Sequence, residues 1–384
     1  MANLLLFRAF FYKIKIMNVL SEEELLHLIA LKNTPLVGDI TAKRLISHCG
    51  SAQNVFTLSK QKLQKIDGIG SKIIENLSVS THLKDAEKEL KLIEKYKITP
   101  IYFTEKNYPE LLKQCPDSPI LLYQRGNIHL QNKRIISIVG TRNVTPYGMA
   151  FCEKLVEDLA QWNVVIVSGL AYGIDITAHK SALANNLQTI ACLAHGLDTI
   201  YPKIHKKYAD QMEQNGGLVT DFPCQSPFDR NHFLSRNRII AGMSEATIVI
   251  ESGVKGGSLV TADIAFSYNR EVFAVPGRAT DTYSVGCNQL IRNEKARILL
   301  HAEDIVYQLG WEKTAPKLVQ NQLFPELSAE ETIIVSFLKS NGKQLLDAIS
   351  LGCNLPIYSV SNILFQLEMK SVVRALPGKA FEII

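Results

Sequence analysis

Between residues 100 and 305 the chain alternates short Val/Ile-rich runs with stretches of helical periodicity. The apolar runs are 134–139, 164–167, 189–193, 218–222, 247–250 and 272–275, and none alternates apolar with polar positions. Strands read this way when both faces are covered, since side chains on either side of the sheet must then be apolar. The pattern predicts an α/β, Rossmann-like core built on a doubly wound, mostly parallel sheet. Residues 21–98 read as helical: Ser21 with Glu24 predicts a capping box opening a helix through Leu31, and a second helix falls near 41–48. Residues 63–74 (LQKIDGIGSKII) predict two short helices joined by a Gly-x-Gly hairpin whose glycines supply positive φ, with a charged helix over 81–96 behind them. This helix-hairpin-helix pattern is either a phosphate-holding hairpin or a plain packing module; the second reading is preferred.

Periodicity is lost over 310–325, which contains Pro316 and Pro325 and predicts a linker. Beyond it the pattern gives helices over 329–340, 345–349 and 359–369 and a hairpin of 372–375 with 380–383. A turn at Pro377-Gly378 makes that hairpin the wing of a winged helix. The expected organisation is a flexible leader (1–20), a small helical, SAM-like or helix-hairpin-helix domain (21–98), the Rossmann-like domain (100–308), a linker (309–326) and a winged-helix domain (327–384).

Charge changes this picture only locally. The net charge is +5, but residues 101–305 carry 20 basic and 20 acidic side chains, against 15 and 10 in residues 1–100. Anion binding in the core must therefore come from clustering and from backbone amides. Seven cysteines are scattered with no CxxC pair, which argues against a zinc site and a disulfide framework and fits reduced thiols in the cytoplasm. No apolar run spans a bilayer. The apolar, basic opening 1–16 is broken by Arg8 and reads as a flexible leader, or as sequence upstream of a start at Met17.

The chemistry is carried by the residues just after each strand: Gly140-Thr141-Arg142-Asn143; Ser168-Gly169-Leu170-Ala171-Tyr172-Gly173-Ile174-Asp175; His195-Gly196-Leu197; Glu251-Ser252-Gly253-Val254-Lys255-Gly256-Gly257-Ser258; and Pro276-Gly277. In a parallel sheet these ends share the edge where ligands bind. Glycines there let backbone come close, and helices starting next point free amides and a positive dipole at that edge, which suits phosphate. Gly196 and Gly277 taken alone are better explained by tight turns. A run of Arg230, His232, Arg236 and Arg238 with Phe228 and Phe233 between them supplies cations for phosphates and rings for bases. Lys203, His205, Lys206 and Lys207 read as a solvated helix face. Asp175 and His179, four residues apart, either serve acid–base or metal chemistry or order the glycine turn and the packed helix; the second reading is preferred. No GxxxxGK[ST] motif occurs, so a P-loop ATPase is not indicated. No catalytic, metal or cofactor site is expected.

These stretches resemble the DNA-processing protein A (DprA, or Smf) family. The matching segments are Ile138-Val139-Gly140-Thr141-Arg142, the Ser168–Asp175 turn with Ala178-His179, Arg236-Asn237-Arg238-Ile239-Ile240-Ala241-Gly242, Glu251-Ser252-Gly253 with Lys255-Gly256-Gly257-Ser258, and Val275-Pro276-Gly277 followed by Gly286-Cys287-Asn288. The resemblance implies a homodimer that binds single-stranded DNA and helps load RecA recombinase in natural transformation, without a catalytic step. It gives Arg142 the role of phosphate-binding arginine, with Gly140, Thr141, Asn143, Ser168 and Gly169 adding contacts. It makes Phe233 the base-stacking ring, with Arg230, Arg236 and Arg238 around it, and Lys255, Gly256, Gly257 and Ser258 completing the pocket. Three departures from the family pattern stand out: Tyr172 in the Ser-Gly turn, Leu234 after Phe233 where proline is frequent, and Thr220-Asp221-Phe222-Pro223 in place of a Ser-Glu-Tyr-Pro-like run.

Two other readings remain. Gly256-Gly257-Ser258 is similar to part of the loop of Rossmann-like enzymes that hydrolyse nucleoside monophosphates, but the Gly-Thr ending is absent. A duplex-binding regulator acting through the winged helix is disfavoured, because residues 325–384 carry 5 basic against 6 acidic side chains and 359–369 has no Lys or Arg.

Overall fold

A computed structural model describes residues 20–79, 81–311, 327–370, 372–376 and 378–383. All of the expected leader but Leu20 and most of the expected linker lie outside these residues. The chain divides into two compact units, Met1–Glu312 and Lys313–Ile384.

The larger unit is organised by one sheet of nine strands among the described residues: β1 (Thr99–Tyr102), β2 (Leu121–Asn127), β3 (Ile135–Val139), β4 (Val165–Ser168), β5 (Thr189–Cys192), β6 (Gly216–Thr220), β7 (Ala246–Val249), β8 (Glu271–Ala274) and β9 (Arg297–Ile298). Their order is β1-β2-β6-β5-β4-β3-β7-β8-β9. From β6 to β9 every neighbouring pair is parallel, while β1 with β2 and β2 with β6 are antiparallel. Six strands lie within two residues of their expected positions. The pattern missed β1, β2 and β9. Pro100 sits in β1, an edge strand, where a missing amide is tolerated but the apolar signal is weak, and β9 is two exposed residues.

The central strands bury both faces because successive side chains point to opposite sides. Ile135 and Val139 of β3 pack into one apolar cluster with Val165 and Val167, whereas Ile136 and Ile138 pack into another with Ile166 and Trp162. The chain runs from β3 outward through β4, β5 and β6, then returns to lay β7 on the other side of β3. The carboxyl ends of β3 and β7 therefore diverge, and this is where an open α/β sheet leaves a crevice.

Residues 22–95 add six helices: α1 (Glu22–Lys32), α2 (Asp39–Cys49), α3 (Ala52–Thr57), α4 (Lys60–Leu63), α5 (Ser71–Leu77) and α6 (Thr81–Lys95). Their apolar faces share one core with Tyr123 and Leu218 of the sheet. The expected capping box at Ser21 is half made: the Glu24 amide donates to Ser21 Oγ at 3.1 Å, but the Glu24 carboxylate accepts from the Ala52 and Gln53 amides and caps α3 instead. Tertiary contact won because two amides of another helix start reward the carboxylate more than one. In the hairpin, Gly68 has φ +75°, as expected, but Gly70 has an ordinary φ of −80° and serves as the N-cap of α5.

Four further helices frame the crevice: α7 (Pro146–Leu159), α8 (Ile174–Ala184), α9 (Arg230–Met243) and α10 (Gly257–Ser267). The smaller unit holds α11 (Ala329–Asn341), α12 (Leu346–Cys353) and α13 (Ile357–Met369) against an antiparallel sheet of order β10-β12-β11, made of β10 (Gln344–Leu345), β11 (Val373–Leu376) and β12 (Ala380–Ile383). Helix α12 runs four residues past its expected end, and Asn354 stops it in the left-handed conformation. Ile334, Leu338, Ile349, Val360, Leu364 and Val373 form the core of this unit.

Candidate nucleic-acid interface

A cleft of about 730 Å³ opens at the carboxyl ends of β3 and β7. One wall is the turn after β3. The Thr141 amide donates to the Glu251 carbonyl at 2.7 Å, which ties this turn to the one after β7. Gly140 is required there: a Cβ would stand 2.5 Å from Ile174 Cγ1 and 3.1 Å from the Glu251 carbonyl. The Asn143 amide donates to Thr141 Oγ1 at 3.1 Å, folding the turn so that Arg142 stands exposed at the rim.

The floor is the start of α10. Its Ser252 and Ser258 hydroxyls bond one another at 2.8 Å, while Gly257 is exposed and a Cβ there would meet nothing within 4 Å. The first amides of α10 have no intrahelical partners and face the cleft with the positive end of the helix dipole. By contrast, the start of α7 is already occupied. The Glu251 carboxylate accepts from the Thr145 amide at 2.9 Å and the Thr145 hydroxyl at 2.5 Å, and fills the space over Gly148. Of these two helix starts, α10 is the one left for an external anion, and α7 is served by the protein's own carboxylate.

The opposite wall is the first turn of α9, capped by Asp229, whose side chain accepts from the Asn231 amide at 2.8 Å. Phe233 lies half-buried there, and the Arg142 guanidinium sits over its ring at 5.7 Å. Tyr201 and Phe228 extend the aromatic surface: Tyr201 is 6.2 Å from Phe233 and 5.2 Å from Phe228 between centroids. Arg230 and Lys255, like Arg142, are exposed, and no ion pair among the described residues involves any of the three. The acidic lining groups are Asp229, spent on its cap, and Asp175, which is buried with its Oδ2 accepting from the Ala171 amide at 3.4 Å. The cleft thus presents cations and rings together.

The structure brings Gly140, Thr141, Arg142, Arg230, Phe233, Arg236, Lys255, Gly256, Gly257 and Ser258 to this cleft. Four expected residues do not line it. Ser168 is fully buried, donating to the Ile138 carbonyl at 2.6 Å, and Gly169 packs beneath the Arg236 guanidinium. Asn143 turns outward, and Arg238 points to the far side of α9. Arg236 touches the cleft but corrects the expectation of a surface cation. It is buried and donates to the carbonyls of Gly169, at 2.8 Å, and Cys192. Burial lowers its pKa, opposed by the charge of Asp175; burial likewise raises Asp175, opposed by Arg236.

His179 is buried and bonds Thr189 Oγ1 at 2.7 Å through Nδ1, and burial pushes its pKa down to about 3. Asp175 and His179 are committed to the turn and the packed helix. His205 also departs from the expected solvated run: it is buried, with Nδ1 2.8 Å from the Leu170 carbonyl and its ring edge-on to Tyr172. Sequence reasoning missed Tyr201 as a cleft residue. Its signal was an aromatic side chain in the loop that comes after the His195-Gly196 turn on the ligand edge.

Similarity to known proteins agrees with this geometry. Residues 99–310 match the family model for DNA recombination-mediator protein A. The chain is 40% identical over 213 residues to the DNA processing protein DprA of Bacillus subtilis, covering 55% of this chain and 71% of that one. It is 34% identical over 299 residues to the protein Smf of a Synechocystis species, covering 74% and 72%. DNA processing protein A from Streptococcus pneumoniae superposes with a TM-score of 0.65 at 29% identity, over 75% of this chain and 98% of that one. DNA processing protein A from Helicobacter pylori, a protein with its own single-stranded DNA binding mode, superposes with a TM-score of 0.50 at 29% identity, over 56% and 95%. A family match over more than half of the chain, with relatives aligned over most of their length, establishes that this chain belongs to the DNA recombination-mediator protein A family.

Proposed function

We propose that the protein is a single-stranded DNA-binding recombination mediator that protects exposed strands and helps load RecA recombinase, working in the cytoplasm as a homodimer and without a catalytic step. The observation that carries this reading is Arg142 over Phe233 at the crevice between β3 and β7. A phosphate held by Arg142 and the α10 amides leaves its base beside Phe233, Tyr201 and Phe228, and charge plus stacking is how a strand is held without reading its sequence. The similarity to the Helicobacter pylori protein supports it. So does the commitment of Asp175, His179 and Glu251 to internal contacts, which leaves no evident acid–base pair for the nucleotide-hydrolysing alternative. The cysteines are all free thiols, as a reducing compartment requires, and no single described helix is long and apolar enough to cross a membrane.

We read residues 21–98 as the SAM-like or helix-hairpin-helix module, 309–326 as a linker and 327–384 as a winged helix with a protein-contacting role. In support of the last, α13 carries no Lys or Arg and exposes Tyr358, Phe365 and Met369 on one face.

Fluorescence anisotropy of labelled oligo-dT across a salt series, with matched duplex as competitor, tests the central claim. Wild type is expected to bind with an affinity that falls with salt. Arg142→Ala is expected to weaken it by roughly 1–3 kcal/mol, and Phe233→Ala by about 1–3 kcal/mol, the loss of one stacked base. Mutants that bind like wild type would show that the cleft is not the DNA groove, and release of base or phosphate from nucleotides would then be the assay to run.

A further inference from the structure

We propose that Tyr172 is a second base-stacking platform, one that leads a bound single strand out of the cleft and onto the loop after β5. The proposal rests on the cleft being the strand's primary hold. Tyr172 is 48% exposed, yet it stands in a turn that the fold fixes tightly. The Ile174 amide donates to the Thr141 carbonyl at 3.2 Å. Gly173, with φ +76°, lies so close to the Arg142 turn that a Cβ would collide with the Thr141 carbonyl and stand 2.7 Å from the Arg142 carbonyl oxygen. Tyr172 is thus the side chain next to the backbone that carries Arg142. His205 braces its ring: the centroids are 5.0 Å apart with an interplanar angle of 65°, and His205 is itself buried, with Nδ1 2.8 Å from the Leu170 carbonyl. A contact at that angle covers at most one face of the tyrosine. A large ring already held in place loses little freedom when a base stacks on its open face.

Two ways lead out of the cleft, and they differ in charge. Along α9, past Leu234, lies a groove lined by Asp39, Asp117 and Arg238, and Arg238 is already paired with Asp39 and Asp221. A phosphate there meets carboxylates and a cation that is spent. The other way crosses the turn after β4. Ala171 lines the cleft and Tyr172 follows it; Tyr201 lines the cleft and is followed within two residues by Lys203. Lys203 is exposed and joins no ion pair among the described residues. Asp198, the one acidic residue from position 193 to 205, accepts from the Gln225 amide at 3.1 Å. One short loop therefore joins an aromatic residue of the cleft to a free cation and to the histidine that braces Tyr172.

The ligand on this ridge is a single strand, because an open ring face is useful only to a base that is not paired and stacked inside a duplex. Arg142 and Lys203 hold successive phosphates, and Tyr172 takes a base beyond the one at Phe233.

The test uses the full chain and two labelled probes, oligo-dT and a strand of the same length that is abasic throughout, titrated by anisotropy. Tyr172→Ala is expected to weaken oligo-dT roughly five- to a hundredfold, as for the loss of one stacked base. Tyr172→Phe should stay near wild type, and on the abasic strand Tyr172→Ala should bind as wild type does. Lys203→Gln should make the log–log salt slope for oligo-dT shallower by about 0.7, the share of one phosphate in a single strand. Tyr172→Trp gives a direct signal: Trp162 and Trp311 are buried, so oligo-dT should quench the new indole. Tyr172→Ala that holds oligo-dT like wild type, or that weakens both probes equally, would overturn the proposal, and so would an unquenched indole. Arg142→Ala keeps the two readings apart. If it binds oligo-dT like wild type, the cleft reading fails and takes this one with it; if it weakens while Tyr172→Ala does not, Tyr172 alone is refuted.

Discussion

The Arg238 guanidinium and the Asp39 carboxylate, 199 residues apart in the chain, lie 2.9 Å from each other. Asp39 opens α2 in the helical segment, and Arg238 sits midway along α9, whose first turn carries Arg230 and Phe233 of the cleft. Arg238 also bonds the Asp221 carboxylate and the Asp117 carbonyl, and Asp39 accepts from the Ile120 amide at 2.9 Å. A side chain that read as a DNA-facing cation is thus the tie between the helical segment and the sheet.

Breaking that tie should cost stability. Burial pushes the Asp39 carboxyl up, but Lys32, Arg238 and the Ile120 amide outweigh it and hold the pKa below its usual value. A carboxyl depressed in the folded state stabilises above its unfolded pKa, and the contribution is lost as pH falls through the folded one. Asp39→Asn is expected to cost roughly 1.5–3 kcal/mol in urea unfolding at neutral pH, as for a hydrogen bond to a charged group. The gap to wild type should narrow in acid. A variant as stable as wild type at neutral pH would show that Asp221 alone satisfies Arg238.

Arg236 and Arg142 both line the cleft but should fail differently. Removing Arg236 strands the Gly169 and Cys192 carbonyls inside the fold, so Arg236→Ala is expected to lose at least about 1–3 kcal/mol of stability. Arg142 is exposed, and Arg142→Ala should unfold within about 0.5 kcal/mol of wild type. Equal urea midpoints for the two variants would contradict the assignment of Arg236 to the interior.

Two glycines of the cleft make a similar pair. Gly140→Ala forces a methyl against Ile174 and the Glu251 carbonyl, with an overpacking cost of about 1–3 kcal/mol. Gly257→Ala places its methyl in open space at the start of α10, so stability should hold within about 0.5 kcal/mol. That methyl stands where a phosphate would approach the α10 amides, and oligo-dT affinity should drop. Undiminished affinity would remove the α10 start from the binding surface.

His179 makes stability depend on pH. Its folded pKa of about 3 lies below the ordinary value near 6.5, so the unfolded chain takes up the proton first. Stability from this group is complete above pH 6.5 and is lost at roughly 1.4 kcal/mol per pH unit below it. Glu105, raised by burial to about 7, acts in the opposite direction over part of this range, so the single-protein profile mixes the two. The difference between wild type and His179→Gln isolates the histidine. Urea midpoints should converge in favour of the variant as pH falls from 7.5 to 5.5, and parallel profiles would count against a neutral buried His179.

The amino-acid sequence by itself determined the sheet and its ligand edge. Val/Ile runs such as Ile135–Val139 are short and rich in β-branched residues, which suits a strand covered on both faces, and the glycines at 140 and 256–257 mark where backbone turns or lies bare. It also marked Arg142 and Phe233, although not that one would lie over the other. What it left undecided were the side chains whose role depends on a distant neighbour. Arg230, Arg236 and Arg238 are the same residue type within nine positions of one helix. Arg230 emerges at the rim, Arg236 lies over the carbonyls that end β4 and β5, and Arg238 faces Asp39 and Asp221. Glu24 and Glu251 each found amides in another part of the chain rather than beside them. Tyr201 joined the cleft because the loop after β5 comes back over the start of α9. Periodicity and turn chemistry are local, so they can be read along the chain. The partner of a buried charge or a ring is set by which strands become neighbours, and that order exists only once the sheet has formed.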